Sequence, residues 1–199
     1  MKKAKTKIYA KMILLIVLLN ARNSFAQFQP KTLRLAFLNE ATALPSIRLL
    51  KLPIHPTFNV GTDLRVRKSK HWHRVFGADA YYYYQRMAEH TIMLDASYRI
   101  GYKFNFGLQL NLLTALGYKH AILSGEKYAL KDGSYQKTSH LGKAQINTKL
   151  GFGLEYPISD KYSIITDYKV MLSAPSGGLY IPFNINTFLG AGLKINLKK

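Results

Sequence analysis

Apolar and polar residues alternate along most of the chain beyond residue 56. Between residues 58 and 67, Phe58, Val60 and Leu64 share one face of an extended chain, whereas Asn59 and Asp63 lie on the other. Six further segments show the same alternation: residues 75–86, 91–102, 106–118, 144–156, 162–172 and 187–197. A period of two residues is that of a β-strand with one apolar face. The pattern therefore predicts an all-β protein.

The length of these segments indicates where the strands lie. They run for 10–13 residues, whereas strands of soluble proteins are commonly about 5–6 residues long and a tilted membrane-crossing strand needs about 9–11. Length thus favours a transmembrane barrel. A soluble barrel has the same alternation with its apolar face inward, so the period alone does not orient the wall.

The positions of the glycines indicate which face of the predicted strands points into the barrel. Nine glycines of the predicted strands fall on the polar face: Gly61, Gly77, Gly101, Gly107, Gly117, Gly151, Gly153, Gly190 and Gly192. A strand glycine is useful where backbones approach closely, as they do inside a narrow barrel. We therefore expect the polar face to line the lumen and the apolar face to contact lipid.

Most charged residues of the strands share this polar face. The predicted lumen network consists of Asp63, Arg65, Asp79, Asp95, Arg99, Lys149, Glu155, Asp167, Lys169 and Lys194, and Arg67 falls on the same face. Charges in a narrow interior must be paired to offset their desolvation. The sequence predicts a lumen plugged by ion pairs and tyrosine hydroxyls rather than an open channel.

The connections predict the topology. The longest polar loop, residues 124–143, contains the turn signal Lys131-Asp132-Gly133-Ser134 and is expected outside the cell. The same rule makes residues 68–73, 102–105 and 157–161 periplasmic turns, and it makes residues 86–90 and 173–183 external. An even number of strands then requires one more strand between residues 27 and 56. Leu33, Leu35 and Phe37, alternating with Arg34 and Ala36, are the candidate, and residues 46–51 are the alternative. We predict a single antiparallel up-and-down transmembrane β-barrel of eight strands, with the first strand in residues 27–56 and the rest in residues 57–199.

The N-terminus has the three parts of a cleavable export signal. A lysine-rich segment precedes an apolar run over residues 12–19, and Ser24-Phe25-Ala26 matches the small-x-small pattern of signal peptidase sites. We expect cleavage after Ala26 and an outer-membrane location in a Gram-negative bacterium.

Net charge and composition limit the classes of binding partner and metal site that are expected. The net charge is +19, of which six basic residues belong to the signal segment, and the chain has no cysteine. No disulfide or thiolate metal site is expected. An exported protein does not routinely meet nucleic acid, so anionic lipid headgroups are the expected counterpart of the excess positive charge. Lys127, Lys131, Lys137 and Lys143 of the long loop are candidates for contact with lipopolysaccharide phosphates, a solvated loop being the alternative.

Two groups of residues that include histidine are candidate chemical sites. His71 and His73 are two residues apart, but no third ligand is near in sequence, so no metal or other cofactor is predicted, and Trp72 fits an interfacial aromatic. His120, Ser124 and Glu126 contain the residue types of outer-membrane lipid A-modifying enzymes. Loop polarity is the simpler explanation, so no catalytic residue is assigned.

One stretch of the chain resembles a known family. Residues 52–61, LPIHPTFNVG, followed by Arg74-Val75-Phe76 and the run Tyr81-Tyr82-Tyr83-Tyr84, are similar to small outer-membrane β-barrel proteins of Bacteroidota-type bacteria. The resemblance implies the barrel fold and the location, and that family carries no assigned activity. The chain departs from many such barrels in ending on Ile195-Asn196-Leu197-Lys198-Lys199 rather than on an aromatic residue; recognition by the barrel insertion machinery is nevertheless expected.

The functional hypothesis is a non-enzymatic outer-membrane barrel with a structural or surface-binding role. The alternatives are a lipid A-modifying enzyme and a narrow channel for small solutes. The sequence does not predict the oligomeric state.

Overall fold

The computed structural model describes residues 29–41, 54–85, 89–125, 127–131, 133–138, 142–175 and 182–197. The chain divides into residues 1–30 and a second unit, Lys31–Lys199, which contains every strand. Among the described residues there is no helix long and apolar enough to cross a membrane.

The described residues form ten strands. Eight of them build the barrel: β1 (Thr32–Ala41), β2 (His55–Lys68), β3 (Trp72–Gln85), β4 (Glu89–Lys103), β5 (Gln109–Leu123), β8 (Lys143–Pro157), β9 (Tyr162–Ala174) and β10 (Asn184–Asn196). The remaining two, β6 (Lys127–Lys131) and β7 (Ser134–Thr138), form a separate hairpin between β5 and β8. The barrel is closed and antiparallel, in the order β1-β10-β9-β8-β5-β4-β3-β2. The predicted all-β fold with eight antiparallel barrel strands is confirmed.

The first strand closes the barrel. Leu35 of β1 pairs with Val60 of β2 on one side and with Leu193 of β10 on the other. The strand predicted from Leu33, Leu35 and Phe37 is thus present, and it removes both free sheet edges. The alternative strand at residues 46–51 and the predicted signal at residues 1–26 lie outside the described residues.

The two ends of the barrel differ. Short connections join β2 to β3, β4 to β5 and β8 to β9 at one end, which we call the turn end; the opposite end, which carries the β6–β7 hairpin, is the loop end. Gly107 lies in the β4–β5 turn with φ +99°, so the prediction that it belongs to a strand is wrong. Its left-handed backbone is one that glycine adopts readily.

A β-bulge in β2 changes which residues face outward. Asp63 pairs with Gly77, but Arg65 pairs with Phe76, so the register shifts between them. Beyond the bulge the alternation is reversed, since one extra residue moves every following side chain to the other face. Arg65 and Arg67 are therefore exposed on the outer wall. The prediction that they line the lumen is wrong.

The wall has polar residues inside and apolar residues outside. Leu116 and Ile146 face outward and are 62% and 67% exposed, whereas Asp95 and Lys149 in the lumen are 4% and 3% exposed. An apolar cluster also lies within the lumen, formed by Leu38, Tyr81, Tyr83, Met93, Met171 and Phe188 with Ala36 and Ile165. Tyrosine hydroxyls in the lumen were predicted, but an apolar cluster there was not.

Gly151 of β8 shows why glycine lines this wall. A Cβ atom there would lie 2.1 Å from the carbonyl oxygen of Tyr168 and 2.8 Å from the Cα of Lys169, both backbone atoms of β9. We expect Gly151→Ala to lower the free energy of unfolding by about 1–3 kcal/mol, because the strands must separate to admit the methyl group. The measurement is denaturant unfolding in detergent micelles.

Gly125→Ala is the matched control for that substitution. A Cβ atom at Gly125 would have no neighbour within 4 Å, so this variant is expected to unfold at the wild-type denaturant concentration. Equal midpoints for the two variants would contradict the close approach of β8 and β9.

Candidate functional site

The buried charges of the lumen meet at Asp63. Its carboxylate is fully buried, lies 3.3 Å from Arg34 Nε and 3.6 Å from Lys194 Nζ, and accepts a hydrogen bond from Arg99. These three cations belong to β1, β4 and β10, so one side chain of β2 joins four strands across the lumen. Three cations around one carboxylate offset the cost of burying it.

Arg34 links this group to a second acid. Its Nη2 lies 3.1 Å from the carboxylate of Asp79 on β3, which also accepts a hydrogen bond of 3.3 Å from Asn59 Nδ2. The Arg34 guanidinium thus lies between two carboxylates. Its planar arrangement of N–H donors suits such bridging.

Two lysines extend the network toward the loop end. Lys149 Nζ donates to Asp95, which accepts a further hydrogen bond of 3.0 Å from Asn147 Nδ2. Lys169 Nζ lies 2.9 Å from Asp167 and donates a hydrogen bond of 3.2 Å to the Tyr81 hydroxyl. Lys149 Nζ also lies 4.5 Å from the centre of the Tyr81 ring. Tyrosine and charge therefore share the middle of the lumen, as predicted.

Each end of the lumen has its own polar contacts. At the turn end, Lys194 Nζ donates to Glu155 at 2.8 Å, and a cavity of about 290 Å³ opens beside this pair. At the loop end, Lys119 Nζ lies 3.1 Å from Glu89, which accepts a hydrogen bond of 2.5 Å from the Tyr83 hydroxyl. Neither pair forms a hydrogen bond or ion pair with Asp95.

The middle of the barrel is filled. The cavity lined by Arg34, Asp79, Tyr81 and Lys149 measures about 20 Å³, enough for about one water molecule. The apolar cluster around Phe188 lies beside it, with the Phe188 ring centre 6.0 Å from that of Tyr83.

The structure brings together nine of the ten predicted lumen residues and moves Arg65 to the outer wall. The predicted lumen network did not include Arg34, Glu40, Glu89 and Lys119, which also carry charge into the lumen. Arg34 could have been found, since it alternates with Leu33 and Leu35 on the predicted first strand. Glu40 and Glu89 lie at the outer ends of strands whose limits the alternation leaves open.

The histidine candidates separate in space. His73 faces the lumen, with Nε2 2.7 Å from Asn111 Oδ1, whereas His71 is half-buried in the turn and stacks on Tyr102. The described residues contain no group of three potential metal ligands. Trp72 is exposed and packs edge-to-face against Tyr102, with ring centres 5.3 Å apart.

The remaining candidates lie at the loop end. His120 is on the outward face of β5, with Nδ1 2.9 Å from the Tyr118 hydroxyl, and Ser124 follows the strand in a bend. Glu126 lies outside the described residues, so the three are not placed as one group. The hairpin strands include Lys127, Lys131 and Lys137, and Lys143 begins β8.

Comparison with solved structures finds barrels of similar fold. Neisserial surface protein A is 12% identical, with a TM-score of 0.49, and the match covers 83% of this chain and 95% of that one. The outer membrane enzyme PagL is 12% identical over 83% of this chain and 99% of its own, also with a TM-score of 0.49. Ail, the attachment invasion locus protein of Yersinia pestis, is 13% identical over 83% and 97%, with a TM-score of 0.43. No protein-family model and no curated protein matches the chain.

Proposed function

We propose that the protein is an integral outer-membrane β-barrel of a Gram-negative bacterium, exported by a signal at residues 1–26. It has no catalytic role and serves the envelope as a structural or surface-binding protein with a plugged lumen. The inverted polarity of the wall carries this proposal, because side chains such as Leu116, Leu150 and Phe152 are exposed while Asp63, Asp95 and Lys149 are buried. The resemblance to the Bacteroidota-type family is part of the same proposal.

The exposed apolar wall would be unfavourable in water. Large apolar side chains face outward on every strand of the barrel, from Leu35 and Phe37 of β1 to Leu197 just beyond β10. Soluble monomers rarely expose contiguous apolar patches above a few hundred Å². Lipid removes this cost, and a closed barrel satisfies its backbone hydrogen bonds without water.

The loop end is the surface that such a barrel offers to partners. The β6–β7 hairpin is hydrogen-bonded within itself and is not part of the barrel sheet. It carries three of the lysines proposed to meet lipopolysaccharide phosphates. Outer-membrane lipids, lipopolysaccharide and the insertion machinery are the partners that this location implies.

Fractionation tests the location and the barrel together. The full-length protein, expressed in a Gram-negative host, should sediment with outer membranes in a sucrose gradient, and its gel migration should shift when the sample is boiled. A soluble protein with no heat-dependent shift would overturn the proposal.

The lysine proposal predicts salt-sensitive binding. Replacing Lys127, Lys131, Lys137 and Lys143 by Gln should weaken binding of the detergent-solubilised barrel to immobilised lipopolysaccharide. Each exposed contact between a lysine and a phosphate contributes up to about 1 kcal/mol at low salt. Added salt screens this attraction: the Debye length is about 10 Å at 0.1 M and shortens as the salt concentration rises. Wild-type and variant binding should therefore converge as NaCl is raised. Salt-independent binding that is equal in both proteins would contradict this assignment.

The filled lumen predicts low conductance. The purified barrel in a planar lipid bilayer should show no steady single-channel current, because ion pairs and the apolar cluster close the axis at Tyr81 and Phe188. A regular current would favour the channel hypothesis.

Mass spectrometry of lipid A from cells with and without the gene tests the enzymatic hypothesis, and the two spectra should be identical.

A further inference from the structure

The outer wall of the barrel carries fixed charge at one place. Among the described residues of the eight barrel strands, the Lys, Arg, Asp and Glu side chains at outward positions are Arg65 and Arg67 of β2 and Arg74 of β3. The other outward positions hold apolar, aromatic, histidine or uncharged polar residues. We call these three residues the arginine cluster. A single cationic patch on an apolar wall needs a physical explanation, since charge on a lipid face is costly.

The three arginines are close neighbours. Arg67 and Arg74 are register partners on adjacent strands, and Arg65 lies opposite Phe76, the next outward residue of β3. The bulge between Asp63 and Arg65 produces this arrangement, since without the register shift Arg65 and Arg67 would face the lumen.

Within the part of the chain that the structure describes, the arginine cluster has no neighbouring acid to neutralise it. No ion pair of these residues with an acid is present among the described parts of the chain, whereas the lumen arginines Arg34 and Arg99 both contact Asp63. Like charges directly opposite on paired strands repel. An anion held between the guanidinium groups would remove the repulsion, and arginine is well suited to bidentate contact with phosphate.

The depth of the cluster matches a lipid headgroup. Arg74 is one outward position along β3 from Trp72, whose ring packs against Tyr102. Tryptophan and tyrosine concentrate at membrane interfaces, and long arginine side chains extend toward the headgroups. The guanidinium groups therefore lie where the phosphates of the turn-end leaflet would be.

The wall beside the cluster has room for acyl chains. Thr62, Ala78, Ala80 and Ala96 are small outward residues, and with Leu33, Val60 and Leu94 they border a groove of about 600 Å³. Ala78 is four residues from Arg74 along β3, a distance of about 13 Å at the strand rise. A lipid whose phosphate lies on the arginines could extend a chain along this groove, although the inference depends on the arginines alone.

We propose that Arg65, Arg67 and Arg74 form a binding site for the phosphate of an anionic glycerophospholipid in the turn-end leaflet. The inference rests on the proposed function, because it requires the outward face to lie in a membrane. Glycerophospholipid is favoured over lipopolysaccharide because the cluster lies at the end opposite the long loop.

Native mass spectrometry tests the site. The full-length protein, extracted from membranes in a non-ionic detergent, is titrated with phosphatidylglycerol, as are R65Q/R67Q/R74Q and the control K31Q/K103Q/K161Q. The control removes three exposed cations from the same end, none of which occupies an outward position of a barrel strand. Because the arginine variant loses the bidentate contacts to the lipid phosphate, it should bind about 100-fold more weakly, and the control, which keeps those contacts, should bind like wild type.

Further measurements separate the possible failures. Heat-modifiable migration of each variant shows whether its barrel is folded. If the Gln variant does not fold, R65K/R67K/R74K replaces it in the test; this variant keeps the charge and should bind with intermediate affinity. Equal phosphatidylglycerol binding by all variants would overturn the site while leaving the barrel proposal standing. Arginine-dependent dimers without bound lipid, or displacement of phosphatidylglycerol by equimolar lipid A, would also overturn it. A wild-type protein absent from membranes would instead refute the proposed function.

Discussion

Asp63→Ala is expected to destabilise the barrel by about 3–5 kcal/mol, since it leaves buried cations without their shared carboxylate. Arg34, Arg99 and Lys194 all contact Asp63 within the closed lumen. Arg34 and Lys194 keep second acids, Asp79 and Glu155. The main loss therefore falls on Arg99. Guanidinium unfolding of the purified barrel in detergent, followed by tryptophan fluorescence of Trp72, measures the change.

Asp160→Ala is the control for that loss. Asp160 is exposed in the turn between β8 and β9, where its backbone oxygen accepts a hydrogen bond from Asn196. The backbone contact survives the substitution, so the expected change is within about 0.5 kcal/mol. Equal destabilisation by the two variants would mean that the Asp63 group does not hold the lumen together.

Leu116→Arg is expected to cost about 2–4 kcal/mol when the barrel folds into lipid vesicles, because it places a charge near the middle of the lipid-facing wall. Leu116 lies near the middle of β5, pairs with Thr148 and is 62% exposed. In a soluble barrel an exposed leucine could be replaced by arginine at almost no cost. The measurement is the urea dependence of folding into vesicles, read from the heat-modifiable band.

Tyr135→Arg provides the comparison, since Tyr135 is 76% exposed on the hairpin strand β7, outside the barrel wall. Its replacement should leave the folding midpoint unchanged. If Leu116→Arg behaved in the same way, the outward face would not be in contact with lipid.

Alternation was sufficient to predict the eight barrel strands and the faces of most of their residues, because burial on one side imposes a period of two. The first strand followed from three apolar residues and the requirement for an even count, and β1 occupies that place. The inward orientation of Asp95, Lys149 and Asp167 followed in the same way.

The bulge could not be predicted from the pattern. Residues 58–67 alternate without interruption, so nothing in them marks the position where the register shifts. The shift is a property of the pairing of β2 with β3, where Gly77 meets Asp63 and Phe76 meets Arg65. A period measured on one strand contains no information about its partner, and Arg65 was therefore assigned to the wrong face.

The apolar cluster inside the lumen was missed for a related reason. Leu38 and Phe188 occupy positions that the alternation assigns to the polar face, yet both are fully buried. A narrow interior needs its volume filled as well as its charges paired, and a large apolar side chain fills space at no desolvation cost. The alternation of apolar and polar residues predicts which face of a strand each side chain occupies, but it gives no information about the volume that the lumen side chains must fill.

The pairing of β1 with β10 has a consequence for biogenesis. The two strands that complete the cylinder come from opposite ends of the barrel sequence, from Thr32↔Asn196 to Ala41↔Thr187. A nascent chain that lacks its final strand would present two unsatisfied edges, on β1 and β9, each able to recruit a foreign strand. The barrel can therefore close only after its C-terminal strand has been synthesised. A chain that ends before residue 184 should form an open, aggregation-prone and protease-sensitive sheet instead of a smaller barrel.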